Sequence, residues 1–184
     1  CELPKILQIK EKLGTLRFYY DDSKNEYPEI IRSSRIIHTP LTLKKKDEFI
    51  EETVVAVDKD FFRMFNVGFV RGDVNTAFND PHNIVITEET AQKYFGNEDA
   101  LGKTLPSRGF LVTVTGIVQP LPQNSHIRFD ILVSTELFSA FGPKINDWED
   151  RGRSYSYVEL KKGTDSKQIH KKIHDFIKKN KKAT

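Results

Sequence analysis

Short runs in which apolar and polar positions alternate are interleaved along this chain with runs at helical spacing. Residues 3–13 (LPKILQIKEKL) place Ile6, Ile9 and Leu13 on one helical face, with Gly14 as a stop, and predict a helix. Residues 16–20 (LRFYY) predict a short strand closed by the polar turn DDSKNE. Pro28 opens PEIIRSSRII, read as a helical turn running into a strand at about residues 35–39. Residues 48–57 (EFIEETVVAV) alternate as a strand, with Val55 and Val57 on one face.

Asp60 stands where an N-cap would start a short helix, FFRMF, in which Phe61 and Phe65 lie one turn apart. Gly68 and the Gly72-Asp73 pair break the chain soon after. Residues 83–86 (NIVI) predict a strand, and Thr87 caps the helix TEETAQKYF that follows. Glu88 and Glu89 favour its first turn through the helix dipole, while Ala91, Tyr94 and Phe95 form its buried face. Gly96 ends it.

Residues 110–118 (FLVTVTGIV) give the clearest strand, with Phe110, Val112 and Val114 pointing one way. The loop QPLPQNSH leads to a strand at 127–134 (IRFDILVS). Residues 136–152, which hold the single tryptophan Trp148, read as loop or irregular helix. Residues 155–160 (YSYVEL) form a strand, KKGT a turn and residues 165–179 a helix. In that last helix Asp165 and Gln168 make a capping box, and Ile169, Ile173, Phe176 and Ile177 make an apolar stripe. Unequal strands mixed with short helices point to an α+β fold rather than a doubly wound sheet.

With 38% hydrophobic and 30% charged residues over 184 positions, the chain suits a globular domain with a sizeable core. Its net charge of +3 is modest and much of it comes from residues 171–182, which argues against a nucleic-acid partner. Cys1 is the one cysteine, so there is no internal disulfide. No run approaches the ~20 apolar residues of a membrane span, and the chain reads as a piece of a longer one whose membrane anchor lies outside it.

Chemistry is sparse. The stretch FGNEDALGKT resembles the phosphate-binding pattern G-x-x-x-x-G-K-[ST] but fails it. Gly96 and Gly102 have five residues between them instead of four, the stretch follows a helix instead of opening one, and Glu98 and Asp99 would repel phosphate. A structural turn is the better reading. His170 and His174 have the i, i+4 spacing of metal ligands, yet no third ligand accompanies them and surface histidines are expected. Ser125-His126 lacks an orienting third group and a nucleophile elbow. The carboxylates Asp58, Asp60, Glu88, Glu89, Asp130, Asp147, Glu149 and Asp150 fall at caps or in charged loops, and no pair of them has an apolar setting. Three aromatic groups, Phe61-Phe62-Phe65, Tyr94-Phe95 and Tyr155-Tyr157, are read as core. No catalytic, cofactor-binding or metal-ligating residue is assigned.

Five segments taken in order carry a family resemblance: EYPEI, VAVDKDFFRMFNVGFVRGD, NIVITEETAQKYFGNEDALGKTL, VTGIVQPLPQNSHIRFDILVS and VELKKGTDSKQIHKKI. Over about residues 26–177 the chain resembles the MacB-type periplasmic core domain of FtsX/MacB-like ABC transporter permeases, in the version abundant in Bacteroidetes. The resemblance implies a porter-like α/β subdomain, residues 1–57 and 152–184, split by an inserted mixed α/β sabre-like subdomain, residues 58–151. It also implies a non-catalytic domain, without a cofactor, on the periplasmic side of the bacterial inner membrane. Such a domain would transmit ATP-driven conformational change to a periplasmic adaptor or substrate in efflux or export of antimicrobials, peptides or lipoproteins. Its implied partners are the permease's own transmembrane helices, a cytoplasmic ATPase domain or subunit, a periplasmic adaptor or outer-membrane partner, and a second permease copy in a dimer. Relatives have a longer segment before the domain than residues 1–25, and a further strand after it. Two rival readings are a soluble periplasmic ligand- or peptide-binding module, which would use the aromatic groups, and an enzyme using His170 and His174.

Overall fold

The computed structural model describes residues 5–9, 27–119, 127–141 and 154–180. The strand expected at 16–20, most of the QPLPQNSH loop with Ser125-His126, and Trp148, Asp147, Glu149 and Asp150 lie outside these residues.

Among the described residues nine strands form one mixed sheet: β1 (Lys5–Ile9), β2 (Ile30–Lys45), β3 (Glu48–Val57), β4 (Phe69–Gly72), β5 (Asn83–Thr87), β6 (Thr104–Pro106), β7 (Leu111–Val118), β8 (Ile131–Ser134) and β9 (Ser154–Leu160). Their spatial order is β1-β9-β2-β3-β8-β5-β7-β4, and β6 also pairs with β7. The β3–β8 and β5–β7 pairs are parallel and the others antiparallel. Among the described residues four helices accompany the sheet: α1 (Phe61–Met64), α2 (Glu88–Phe95), α3 (Thr135–Phe141) and α4 (Ser166–Asn180). The fold is α+β.

Both sheet faces are buried, and strand alternation assigns residues to each. On β3, Val55 and Val57 enter a core with Phe61, Phe62 and Met64 of α1, Val85, Leu132 and Tyr157. Val54 and Ala56 face the other way, into a core with Leu43, Ile84, Ile86, Val112, Val114 and Leu137, against which Ala91, Tyr94 and Phe95 of α2 pack. A third cluster joins Val158 and Leu160 of β9 to Ile169 and Ile173 of α4. A sheet covered on both sides removes apolar side chains of both parities from water, the principal stabilising term.

Several local expectations hold. Strand β3 has the expected bounds, and Thr87 caps α2 by accepting a hydrogen bond from the Thr90 N–H at 3.3 Å. Gly96 follows α2 at φ +62°, its N–H donating to the Gln92 carbonyl at 2.9 Å. Asp60 precedes α1 as expected, though its side chain makes no capping bond there. Asp165 caps α4 through the Lys167 N–H at 2.9 Å.

Others are corrected. The helix expected at 3–13 is a strand where it is described. Residues Lys5–Ile9 pair antiparallel with β9, from Lys5 opposite Leu160 to Ile9 opposite Ser156. Ile6 packs against the core on the α1 side and Leu7 against the cluster of β9 and α4, so both faces of the segment are covered, and the backbone partners offered by β9 decide for a strand. The helical turn after Pro28 is a simple turn, closed by the Ile30 N–H on the Tyr27 carbonyl at 3.0 Å, and β2 then runs unbroken to Lys45. Pro40 is tolerated within β2 because β9 pairs only as far as Ile37, so beyond it β2 has an edge-like flank. The strand expected at 127–134 begins only at Ile131; Ile127 and Phe129 are buried without being in a strand. Residues 136–152, expected as loop or irregular helix, are helical in their described part, within α3 (Thr135–Phe141). Tyr157 is core, but Tyr155 is 46% exposed and does not join it.

Candidate functional site

The antiparallel β2–β3 hairpin sets Ile36 opposite Val57, so its next position brings Arg35 beside Asp58 just past the strand end. Arg35 is buried. Its backbone N–H and Nε donate to Asp58 Oδ2 at 2.8 and 2.9 Å, and its Nη2 donates to Oδ1 at 2.5 Å. Thr135, the first residue of α3, completes a triangle: its hydroxyl donates to Asp58 Oδ1 at 2.7 Å and accepts from Arg35 Nη2 at 2.9 Å. Ser34 Oγ accepts from the Asp58 N–H at 3.3 Å.

Burial alone would raise the Asp58 carboxyl, but the hydrogen bonds and charge of Arg35, with the Thr135 hydroxyl, outweigh it and hold the group below its ordinary 3.8. A bidentate guanidinium–carboxylate pair with every oxygen satisfied is a rigid joint, not a reactive acid. It fastens three points of the chain, on β2, after β3 and at the start of α3, just where β3 pairs with β8 through Val57 and Ser134. Sequence reasoning noted Asp58 but did not pair it with Arg35. The signal was available only through hairpin register, since the residues are 23 apart.

The FGNEDALGKT stretch is a turn whose charged groups are occupied. Lys103 Nζ donates to Glu98 and also lies 5.6 Å from the centre of the Phe95 ring. That hydrogen bond and the lysine's charge hold the Glu98 carboxyl below its ordinary value. Asp99 accepts from the Leu101 N–H at 3.1 Å and from Arg71 Nη2 at 2.8 Å. Gly102, at φ +79°, donates its N–H to the Val114 carbonyl at 2.7 Å. Backbone donors that would cradle a phosphate are therefore committed to the turn and to β7.

His170 and His174 are exposed on α4 and border a shallow groove of about 420 Å³ shared with Leu7 of β1, Ser166, Lys167 and Lys171. Among the described residues no three His, Cys, Asp or Glu side chains converge to hold a metal ion. Among the described residues, the carboxylates singled out from the sequence do not converge either. Glu88 and Glu89 are exposed in the first turn of α2, and Asp130 is exposed with its carbonyl accepting from the Thr87 N–H at 3.0 Å. Phe61 and Phe62 are core and Phe65 packs against them: the Phe61 and Phe65 ring centres lie 4.8 Å apart with the planes tilted by 38°, and Phe62 meets Phe78 at 5.0 Å. Tyr94, packed against the other core, also donates its hydroxyl to Glu52 at 2.5 Å, where Lys93 binds at 2.6 Å, tying α2 to β3. Burial, with the Glu52 hydrogen bond and charge, pushes the Tyr94 hydroxyl far above its ordinary value.

No helix among the described residues is long and apolar enough to cross a membrane. Comparison with solved structures finds similar folds. A permease-protein domain from Porphyromonas gingivalis superposes with a TM-score of 0.68 at 24% identity, over 85% of this chain and 67% of that one. The periplasmic region of MacB from Actinobacillus actinomycetemcomitans gives 0.66 at 14% identity, over 95% and 81%. The extracellular domain of the noncanonic ABC-type transporter YknZ from Gram-positive bacteria gives 0.56 at 14% identity, over 92% and 87%. No curated protein matches the chain. The sequence profile of the MacB-like periplasmic core domain matches residues 11–176. The chain therefore belongs to the MacB-like periplasmic core domain family, and is an extracytoplasmic domain of an ABC transporter permease.

Proposed function

We propose that this domain is a non-catalytic transmitter: it carries conformational change, driven by ATP hydrolysis elsewhere in the permease, to a periplasmic adaptor or to the exported substrate. Antimicrobials, peptides and lipoproteins are the substrate classes this reading covers. The observation that carries it is the family match over residues 11–176, joined to a single hydrogen-bonded sheet that spans the described residues. A continuous ladder of strands resists shear, so displacement at one end is delivered at the other instead of being absorbed in a linker.

In this reading residues 1–57 and 152–184 act as the porter-like part and residues 58–151 as the inserted sabre-like part. Support comes from the strand order, in which β1, β9, β2 and β3 are neighbours, as are β8, β5, β7 and β4. The two groups meet at the β3–β8 pairing, beside the Arg35–Asp58–Thr135 triangle. A permease dimer is part of the same proposal.

The test uses the full-length permease with its ATPase in lipid. Spin labels at Lys46, in the turn between β2 and β3, report the distance between copies. The expected result is a shifted distance distribution between the nucleotide-free and ATP-trapped states. A distribution unchanged through the ATP cycle, while export proceeds, would overturn the transmitter reading.

A further inference from the structure

We propose that the lysine-rich face of α4, with the turn before it, docks on anionic phospholipid headgroups of the periplasmic leaflet and orients the domain on the membrane. Charge distribution is the first observation. Residues 161–184 contain nine lysines and two aspartates, a net +7, so the other 160 residues together carry −4 against the chain's total of +3. The C-terminal segment is thus attracted to an anionic surface while the remainder of the chain is repelled. That asymmetry gives an orientation and not merely adhesion.

Among residues 161–175, whose side chains are described, five lysines and two aspartates are exposed, a net +3 that faces outward. Ile169 and Ile173 are buried against Val158 and Leu160, while Lys161, Lys162, Lys167, His170, Lys171 and Lys172 are exposed. Lys172 is held by Glu29 at 2.7 Å, which fixes the helix to the start of β2. Lys167 and Lys171, one turn apart, border the shallow groove with His170 and His174. Because Ile169 and Ile173 are already committed to the core, they are not available for α4 to insert as an amphipathic helix does. Contact is peripheral, through headgroups alone.

An acidic protein partner fits less well. Residues 161–184 contain no arginine, tryptophan or tyrosine, the residues that anchor specific protein interfaces. Lysines are mobile, strongly hydrated point charges, suited to a diffuse surface potential more than to a fixed carboxylate.

The experiment is co-sedimentation of the 184-residue chain with phosphatidylcholine vesicles, with and without phosphatidylglycerol. Binding is expected only when phosphatidylglycerol is present, and should be lost between about 0.1 and 0.5 M salt. The Lys167→Gln/Lys171→Gln double variant should bind about tenfold more weakly or worse. Lys44→Gln/Lys45→Gln/Lys46→Gln removes more charge at the far end of β2, roughly 50 Å away, and should bind within twofold of the unsubstituted chain. If the α4 variant is misfolded by circular dichroism, Lys161→Gln/Lys162→Gln replaces it with the same expectation. Equal binding to neutral vesicles, an equal loss in the hairpin variant, or capture of polyglutamate without capture of vesicles would each overturn the proposal. The chain alone suffices, so the outcome is independent of whether the domain transmits motion.

Discussion

Arg35 on β2 grips Asp58 beyond β3 through three donors, and the guanidinium is buried while the carboxylate keeps 29% of its side-chain surface exposed. Arg35→Met would leave the carboxylate with only the Thr135 hydroxyl and the Ser34-held backbone around it. A loss of about 3 kcal/mol is expected, because an unpaired charge in such a setting is costly. For a domain of this size that corresponds to a melting temperature lower by about 6–12 °C. Urea denaturation should also show the Arg35→Met/Asp58→Leu double variant to be less destabilised than the two single effects added together.

The same pair fixes a sign for acid sensitivity. The folded Asp58 carboxyl titrates below its ordinary 3.8, so the unfolded chain takes up the proton first as pH falls. Its stabilising contribution is therefore complete above the unfolded value and is lost as pH drops through the lower, folded one. Urea midpoints of the unsubstituted chain and of Asp58→Asn should converge between about pH 5 and pH 2. A gap that stays constant over that window would contradict the assignment.

Gly72 and Gly102 both have positive φ, but their surroundings differ. A Cβ at Gly72, φ +89°, would lie 2.3 Å from the Thr115 carbonyl oxygen, whereas at Gly102, φ +79°, it meets nothing within 4 Å. Gly72→Ala should cost about 2–4 kcal/mol and Gly102→Ala about 1 kcal/mol, since only the first adds a backbone clash to conformational strain. Thermal melts of the two variants provide the comparison.

Nucleotide should not bind at FGNEDALGKT. Calorimetric titration of MgATP into the chain is expected to give no heat of binding, and Lys103→Gln should leave that result unchanged. Its melting temperature should fall only slightly, because the Lys103–Glu98 pair is at the surface. A saturable heat abolished by Lys103→Gln would refute the turn reading.

Substituting Phe61, fully buried between α1 and the sheet, should be far more damaging than substituting an exposed apolar residue. Phe61→Ala is expected to cost about 3–5 kcal/mol and Leu111→Ala, 55% exposed, no more than about 0.5 kcal/mol. Chemical denaturation of both variants checks the ranking.

The sequence by itself determined the elements whose signals are local. Alternation set β3 and most of β7, the Thr87 cap and Gly96 bounded α2, and the spacing of Ile169 and Ile173 put α4 on its core. The ordered motifs also carried the family, because they extend over most of the chain. Tertiary structure decided what depends on partners distant in sequence. Lys5–Ile9 became a strand because β9 offers a ladder, and β2 ran to 16 residues because β9 and β3 pair with it in succession. The Arg35–Asp58–Thr135 triangle needed both hairpin register and the β3–β8 pairing to bring three separate segments together. Hydrogen-bond partners of this kind are chosen in space, and a periodic pattern along one strand holds no information about which strand lies beside it.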